Sequence, residues 1–173
     1  MDKNVLNNIT ILYAEDEPLI QAGITETLNL FEINVICAKN GEEGINLFTS
    51  SDKKIDLILT DINMPKLDGL GMIKKIRETD KDIPIVITTA YQDIDFLMRS
   101  IDLGVSSYIL KPIDNYKLRE TLIKAIEPKI LKEELIKKAH KKSAIYNFKS
   151  KIEKKRKIII KKLKKIKQLG HDV

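Results

Sequence analysis

Short apolar runs alternate with amphipathic stretches along the first 128 residues of the chain. Five runs are brief, rich in β-branched residues and bounded by polar or turn residues: Ile9–Ala14, Asn34–Ala38, Ile55–Thr60, Ile83–Thr88 and Ser107–Leu110. Such runs read as strands, and continuously apolar strands suit a parallel sheet covered on both faces. Between them lie five helix-like segments, Pro18–Phe31, Glu42–Phe48, Leu70–Glu78, Asp93–Leu103 and Asn115–Ile126. The first has a proline near its first helical position and apolar residues at Leu19, Ala22, Gly23, Leu28 and Phe31. Gly104 follows the fourth as a C-terminal stop. Strands alternating with helices imply right-handed βαβ crossovers and an α/β fold with a doubly wound, five-stranded parallel sheet. In such a sheet, function sits at the carboxyl ends of the strands.

The pattern changes at Pro128, which is expected to end the fifth helix. From Lys129 to Leu169 a single helical pattern runs without interior Pro or Gly, ~60 Å long if fully helical. The chain therefore divides into a domain over 5–127 and a basic helical extension over 128–173. Ile145, Ile152, Ile159 and Ile166 fall seven residues apart, as one seam position of a coiled coil would. The companion position is poor, since Lys149, Arg156 and Gly170 share it with a single apolar residue, Leu163.

Charge sharpens this division. Residues 1–128 carry 14 Lys/Arg against 21 Asp/Glu, a net −7, whereas residues 129–173 carry 17 against 4, a net +13. Two segments of opposite sign suggest two different jobs. Composition excludes several classes. Cys37 is the only cysteine, so there is no intramolecular disulfide, which fits a reducing compartment. Two histidines and one cysteine give no zinc-site spacing. The first residues lack a basic stretch followed by an apolar one, and no apolar run approaches the roughly 20 residues of a membrane span. A cytoplasmic location is expected.

The chemistry-bearing residues cluster at the strand ends. The first strand runs into Glu15-Asp16-Glu17, the third into Asp61-Ile62-Asn63-Met64-Pro65, the fourth into Thr88-Thr89-Ala90 and the fifth into Lys111-Pro112. Carboxylates packed together repel one another, and a divalent cation relieves the repulsion. Mg2+ takes oxygen ligands and keeps several waters; Glu15, Asp16 and Asp61 can supply oxygens, with the backbone carbonyl of Asn63. A carboxylate beside such a metal can attack phosphorus and form an acyl phosphate, while the metal and Lys111 neutralise the transferring oxygens. The Thr89 hydroxyl can hydrogen-bond the phosphoryl group. Each residue alone has a plainer reading: an acidic helix start for Glu15-Asp16-Glu17, a loop carboxylate for Asp61, a turn for Asp68-Gly69, a helix cap for Thr89, a surface turn at Lys111-Pro112, a core aromatic for Tyr108. Their conjunction at strand ends singles them out. Cys37 reads as core packing and His140 as a solvated side chain.

These motifs, "LYAEDEP", "LTDINMPKLDG", "TTAY" and "SSYILKPI", resemble the response-regulator receiver family of two-component signalling. The resemblance covers about residues 9–127. It implies a flavodoxin-like fold in which Asp61 accepts phosphate from a phosphohistidine on a sensor histidine kinase or phosphotransfer protein. It implies that Glu15 and Asp16 hold Mg2+, that Thr89 and Ala90 with Lys111 bind the phosphoryl group, that Tyr108 is the rotating aromatic of the switch, and that Pro112 is a candidate cis turn. Where many members have Asp at the first acidic position this chain has Glu15, which the family also uses. Phosphate beside Thr89 and Lys111 would draw Thr89 inward and free space for Tyr108, reshaping the surface of the fourth helix, fifth strand and fifth helix and, with it, the C-terminal helix.

Such a chain catalyses only its own phosphorylation and slow dephosphorylation; it is not expected to be a metabolic enzyme. The rival enzyme, a metal-dependent phosphatase with an aspartate nucleophile, needs a second acid two residues on, where this chain has Asn63. A pure scaffold is the third reading. For the tail, the sequence leaves open a homodimer through the C-terminal helix or through the face of the fourth helix, fifth strand and fifth helix. It equally admits non-specific contact with nucleic acid or an anionic membrane, and a solvated extension. Reading of a specific DNA sequence is not expected, since no helix-turn-helix is recognisable. The ending Gly170-His171-Asp172-Val173 resembles the start of a kinase phosphoacceptor box, so a fragment of a larger receiver-containing protein, such as a hybrid histidine kinase, is the alternative.

Overall fold

The computed structural model describes residues 5–90 and 100–169, with side chains to residue 157. Two compact units are distinguished, Met1–Ile130 and Leu131–Val173.

The first unit is built on strands β1 (Thr10–Ala14), β2 (Asn34–Ala38), β3 (Leu57–Asp61), β4 (Ile85–Thr89) and β5 (Ser107–Leu110). They form one sheet in the order β2-β1-β3-β4-β5, and every pairing is parallel. Helices α1 (Pro18–Leu30), α2 (Gly41–Ser50) and α3 (Gly69–Thr79) connect the early strands. Residues 100–102 are helical (α4) and Leu103 is already in the turn, while residues 93–99 of the expected Asp93–Leu103 helix lie outside the described residues. Gly104 follows with φ +63°, the left-handed stop that a glycine accepts without strain.

The sheet separates two cores, and the two-residue period of the strands assigns side chains to each. In β1, Ile11 and Tyr13 face one core with Ile24 and Leu28 of α1. Leu12 and Ala14 face the other, with Met72, Ile73 and Ile76 of α3. The three central strands are buried along their whole length, as expected for strands covered on both faces. The edge strands β2 and β5 are only partly covered. Cys37, on edge strand β2, is accordingly half-buried with Thr25 Oγ1 at 3.4 Å, rather than packed in the core.

Two further expectations need correction. The buried face of α1 is Ile24 and Leu28, with Ile20 and Phe31 packed beside them; Leu19 is 89% exposed, and Ala22 and Gly23 are exposed too. The i, i+4, i+8 set is the one that meets the sheet. The second correction concerns Pro128, which does not end a helix but lies inside α5 (Asn115–Leu169). An interior proline costs about 3 kcal/mol. Anchors on both sides offset it: Leu122, Ala125 and Ile126 are buried, and Lys129 Nζ donates to the Asp56 carbonyl at 2.9 Å.

In the second unit, residues 131–157 of α5 present mostly exposed side chains, His140 among them. The segment carrying His171 and Asp172 lies outside the described residues. Among the described residues, no helix is long and apolar enough to cross a membrane.

Candidate functional site

The strand ends bring the sequence-selected residues together. β1 carries the chain to Glu15, which is 1% exposed, and to half-buried Asp16. β3 reaches one residue further than its apolar pattern, so Asp61 is its last residue and is 7% exposed. One carboxylate oxygen each from Glu15, Asp16 and Asp61 lies within 4.8 Å of the others. From the end of β5, Lys111 Nζ reaches Asp61 Oδ2 at 2.9 Å and Glu15 Oε2 at 3.1 Å. A single ammonium thus serves two carboxylates.

Charge at this site is balanced by burial and pairing. Burial pushes the Glu15 carboxyl above its ordinary range, and the nearby Asp61 charge adds to the shift, against the pull of Lys111. Burial also works against the Lys111 charge, but its hydrogen bonds and attraction to Asp61 and Glu15 outweigh it and raise the ammonium above the usual lysine value. Burial, then the Glu15 charge, keeps the Tyr13 phenol protonated, and its hydroxyl donates to Glu15 Oε2 at 3.4 Å.

The remaining Asp61 oxygen, Oδ1, accepts the Ile62 backbone N–H at 2.8 Å, which fixes the rotamer. Thr60 Oγ1 donates to the Asp61 carbonyl at 2.8 Å. Thr89 ends β4 and is 2% exposed; its hydroxyl donates to the carbonyl of Ala90 at 3.1 Å. Lys111 N–H donates to the Thr89 carbonyl at 2.8 Å, tying the two strand ends together. The Lys111–Pro112 peptide is cis. Tyr108 lies two residues before the end of β5 and is 49% exposed. Asn63 stands in the β3–α3 loop, two residues beyond Asp61, and its side chain is exposed.

Several further residues support the site. Gln21 Nε2 donates to the carbonyls of Glu15 at 2.9 Å and Ala38 at 2.8 Å, anchoring the acidic turn to α1. Asp68 caps α3, accepting the Gly71 N–H at 2.6 Å, so the Asp68-Gly69 pair is a helix start rather than only a turn. A tight turn precedes it, with Lys66 at φ +66° and Leu67 N–H on the Pro65 carbonyl at 2.8 Å. Gly69 passes so close to Asp61 that a Cβ there would collide with the Asp61 carbonyl oxygen. Tyr13 and Gln21 escaped sequence reasoning because one looks like strand filler and the other like a helix surface. The glycine after Asp68 was the one legible signal.

The profile of the response regulator receiver domain matches residues 11–123. The chain belongs to the response regulator receiver family. A receiver domain from Clostridium thermocellum superposes with a TM-score of 0.67 at 29% identity, covering 71% of this chain and 98% of that one. The N-terminal domain of a Wolinella succinogenes protein gives 0.64 at 33% identity, covering 72% and 98%. Among curated proteins, a probable transcriptional regulator ycf27 from Cyanidium caldarium is 38% identical over 108 residues, 62% of this chain and 42% of that protein. The regulatory protein AtoC of Escherichia coli is 28% identical over 125 residues, 72% of this chain and 27% of AtoC. The receiver thus spans less than half the length of these curated relatives.

The acidic cluster fits a hard divalent cation: three carboxylates converge, one of them almost fully buried and pushed above its ordinary range by that burial and by the Asp61 charge, a cost that a cation would relieve. Oxygen-only donors of this kind suit Mg2+.

Proposed function

We propose that this receiver is the phosphoacceptor of a two-component phosphorelay and that Asp61 carries the phosphate. The observation that supports this best is the convergence of Glu15, Asp16 and Asp61 within 4.8 Å under one shared ammonium, Lys111. An Asp61 carboxylate oxygen attacks the phosphorus of a phosphohistidine on a histidine kinase or phosphotransfer protein. The new P–O bond forms as the P–N bond breaks, and the departing imidazole nitrogen keeps the electron pair and takes up a proton. Mg2+, held by Glu15, Asp16, Asp61 and the Asn63 backbone carbonyl, would neutralise charge on the phosphoryl oxygens. Lys111 exchanges one of its carboxylate partners for a phosphoryl oxygen. Thr89 turns its hydroxyl from the Ala90 carbonyl to another. The space it leaves accepts Tyr108, whose half-exposed ring is the outward state of the switch. Asn63 stands at the position, two residues after Asp61, where turnover of external phosphate esters would need a second acid, which supports a signalling role, in the cytoplasm, over a metabolic one.

The output is a separate matter. The ycf27 and AtoC relatives are described as regulatory proteins and extend well beyond the aligned segment. The expectation against specific DNA reading therefore concerns these 173 residues alone. A larger receiver-containing protein with its output elsewhere is the second reading that this coverage favours.

Incubation with acetyl phosphate and Mg2+ tests the proposal by intact-protein mass. One added phosphate is expected for the wild type and none for Asp61→Asn. Steady release of phosphate from aryl phosphates at enzyme-like rates would instead favour the phosphatase reading.

A further inference from the structure

The second unit carries a surface that the phosphoryl chemistry does not use. On α5, Ile145, Phe148 and Ile152 are spaced i, i+3, i+7, which places them on one stripe of the helix. They are 49%, 64% and 50% exposed. The isoleucine repeat continues in the sequence at Ile159 and Ile166. Basic residues border this stripe: Lys149 and Arg156 follow Ile145 and Ile152 by four, and Lys151 and Lys155 lie on the other side. From 141 to 157 there are eight Lys/Arg and one acidic residue, Glu153.

Three occupants can be weighed on this pattern. A second copy of the helix would bury the apolar stripe, but its flanking positions are basic on both sides. Self-pairing would oppose like charges along the seam, where coiled coils place complementary ones. A nucleic acid would meet the lysines but has no use for a stripe of Ile and Phe, since phosphate contact is electrostatic. An anionic lipid surface meets both needs. The Ile and Phe side chains enter the headgroup–acyl boundary, while the lysine stems extend to anionic headgroups.

We propose that the C-terminal helix is an interfacial anchor, lying on an anionic lipid surface through the Ile145, Phe148 and Ile152 stripe with its flanking lysines on the headgroups. The anchor is independent of the phosphorelay reading. Asp61→Asn should bind lipid as the wild type does, so failure of one claim leaves the other testable.

The test is flotation of the full chain with vesicles of phosphatidylglycerol and phosphatidylethanolamine, and with phosphatidylcholine vesicles as the neutral probe. Binding is expected to the anionic vesicles alone, and to weaken with salt. Ile145→Ser/Phe148→Ser/Ile152→Ser should lose binding although every charge is kept, and Lys149→Gln/Lys151→Gln should weaken it about tenfold or more. Circular dichroism of both variants checks that the receiver remains folded. Equal binding to both vesicle types, no binding to either, or anionic binding untouched by the triple substitution would overturn the proposal. So would duplex DNA displacing the chain from the vesicles regardless of the apolar stripe, or a stable dimer that buries it.

Discussion

Gly69 shows how tightly backbone and chemistry are joined. Its missing side chain lets the start of α3 approach the Asp61 carbonyl, and Gly69 N–H donates to the Ile62 carbonyl at 2.8 Å. Alanine is ordinarily the better helix residue, but here the collision is with backbone, which cannot rotate away. Gly69→Ala is expected to destabilise the chain by about 1–3 kcal/mol, read as a lower urea midpoint; an unchanged or higher midpoint would show that the approach is slack. Lys111 makes a second prediction. Its ammonium is held above the ordinary lysine value by Asp61 and Glu15. A cation favoured in the folded state contributes its full stability below the unfolded pKa, about 10.4 for lysine, and loses it as pH rises through the higher folded value. Without metal, the stability gap between wild type and Lys111→Met should therefore be constant to about pH 10 and close above it. A gap that widens with pH would contradict this account. At this scale the sequence revealed the charged residues, because carboxylates and a lysine at strand ends have few structural uses. It concealed Gln21, whose role arises only when Ala38 is brought beside the Glu15 turn, and Tyr13, whose hydroxyl on Glu15 is masked by its place in an apolar run.

Among the elements, the strands were the most legible. β2 and β5 match their expected bounds; β1 begins one residue later than expected, and β3 and β4 begin two later and run one further, into Asp61 and Thr89. The apolar run that marks a buried strand says little about its last, polar residue, which the ladder still holds: Asp61 pairs in register with Thr88. Helix phase was harder to read. α1 has apolar residues on more than one face, so only packing against the sheet selects Ile24 and Leu28. Pro128 misled because local propensity was weighed without the tertiary anchors around it. β5 carries the element-scale prediction. The chain has no tryptophan, so Tyr108→Trp introduces a single reporter at a half-exposed position. Iodide quenching of its fluorescence should fall on treatment with acetyl phosphate and Mg2+, as the ring moves inward. Unchanged quenching in a chain shown by mass to be phosphorylated would remove Tyr108 from the switch.

At the scale of the molecule, two units of opposite charge share one helix. The buried core reaches Ile126, with Ile130 packed beside it, and beyond that α5 is mostly exposed. Truncation after Ile130 should therefore leave the thermal unfolding of the receiver nearly unchanged and its phosphate uptake intact, while removing lipid binding. A large loss of stability would mean that the core draws on the tail. The fold was legible at this scale because alternation of strand and helix leaves few topologies. The tail was not, because a basic helical pattern suits a second helix, a nucleic acid or an anionic lipid surface alike. The central claim concerns one atom pair, Asp61 oxygen and phosphorus, and the most direct measurement locates that bond. After acetyl phosphate and Mg2+, borohydride reduction of the acyl phosphate followed by peptide sequencing by mass spectrometry should find homoserine at position 61, and none when the metal is chelated. Reduction at another carboxylate, or the same yield without metal, would contradict the account.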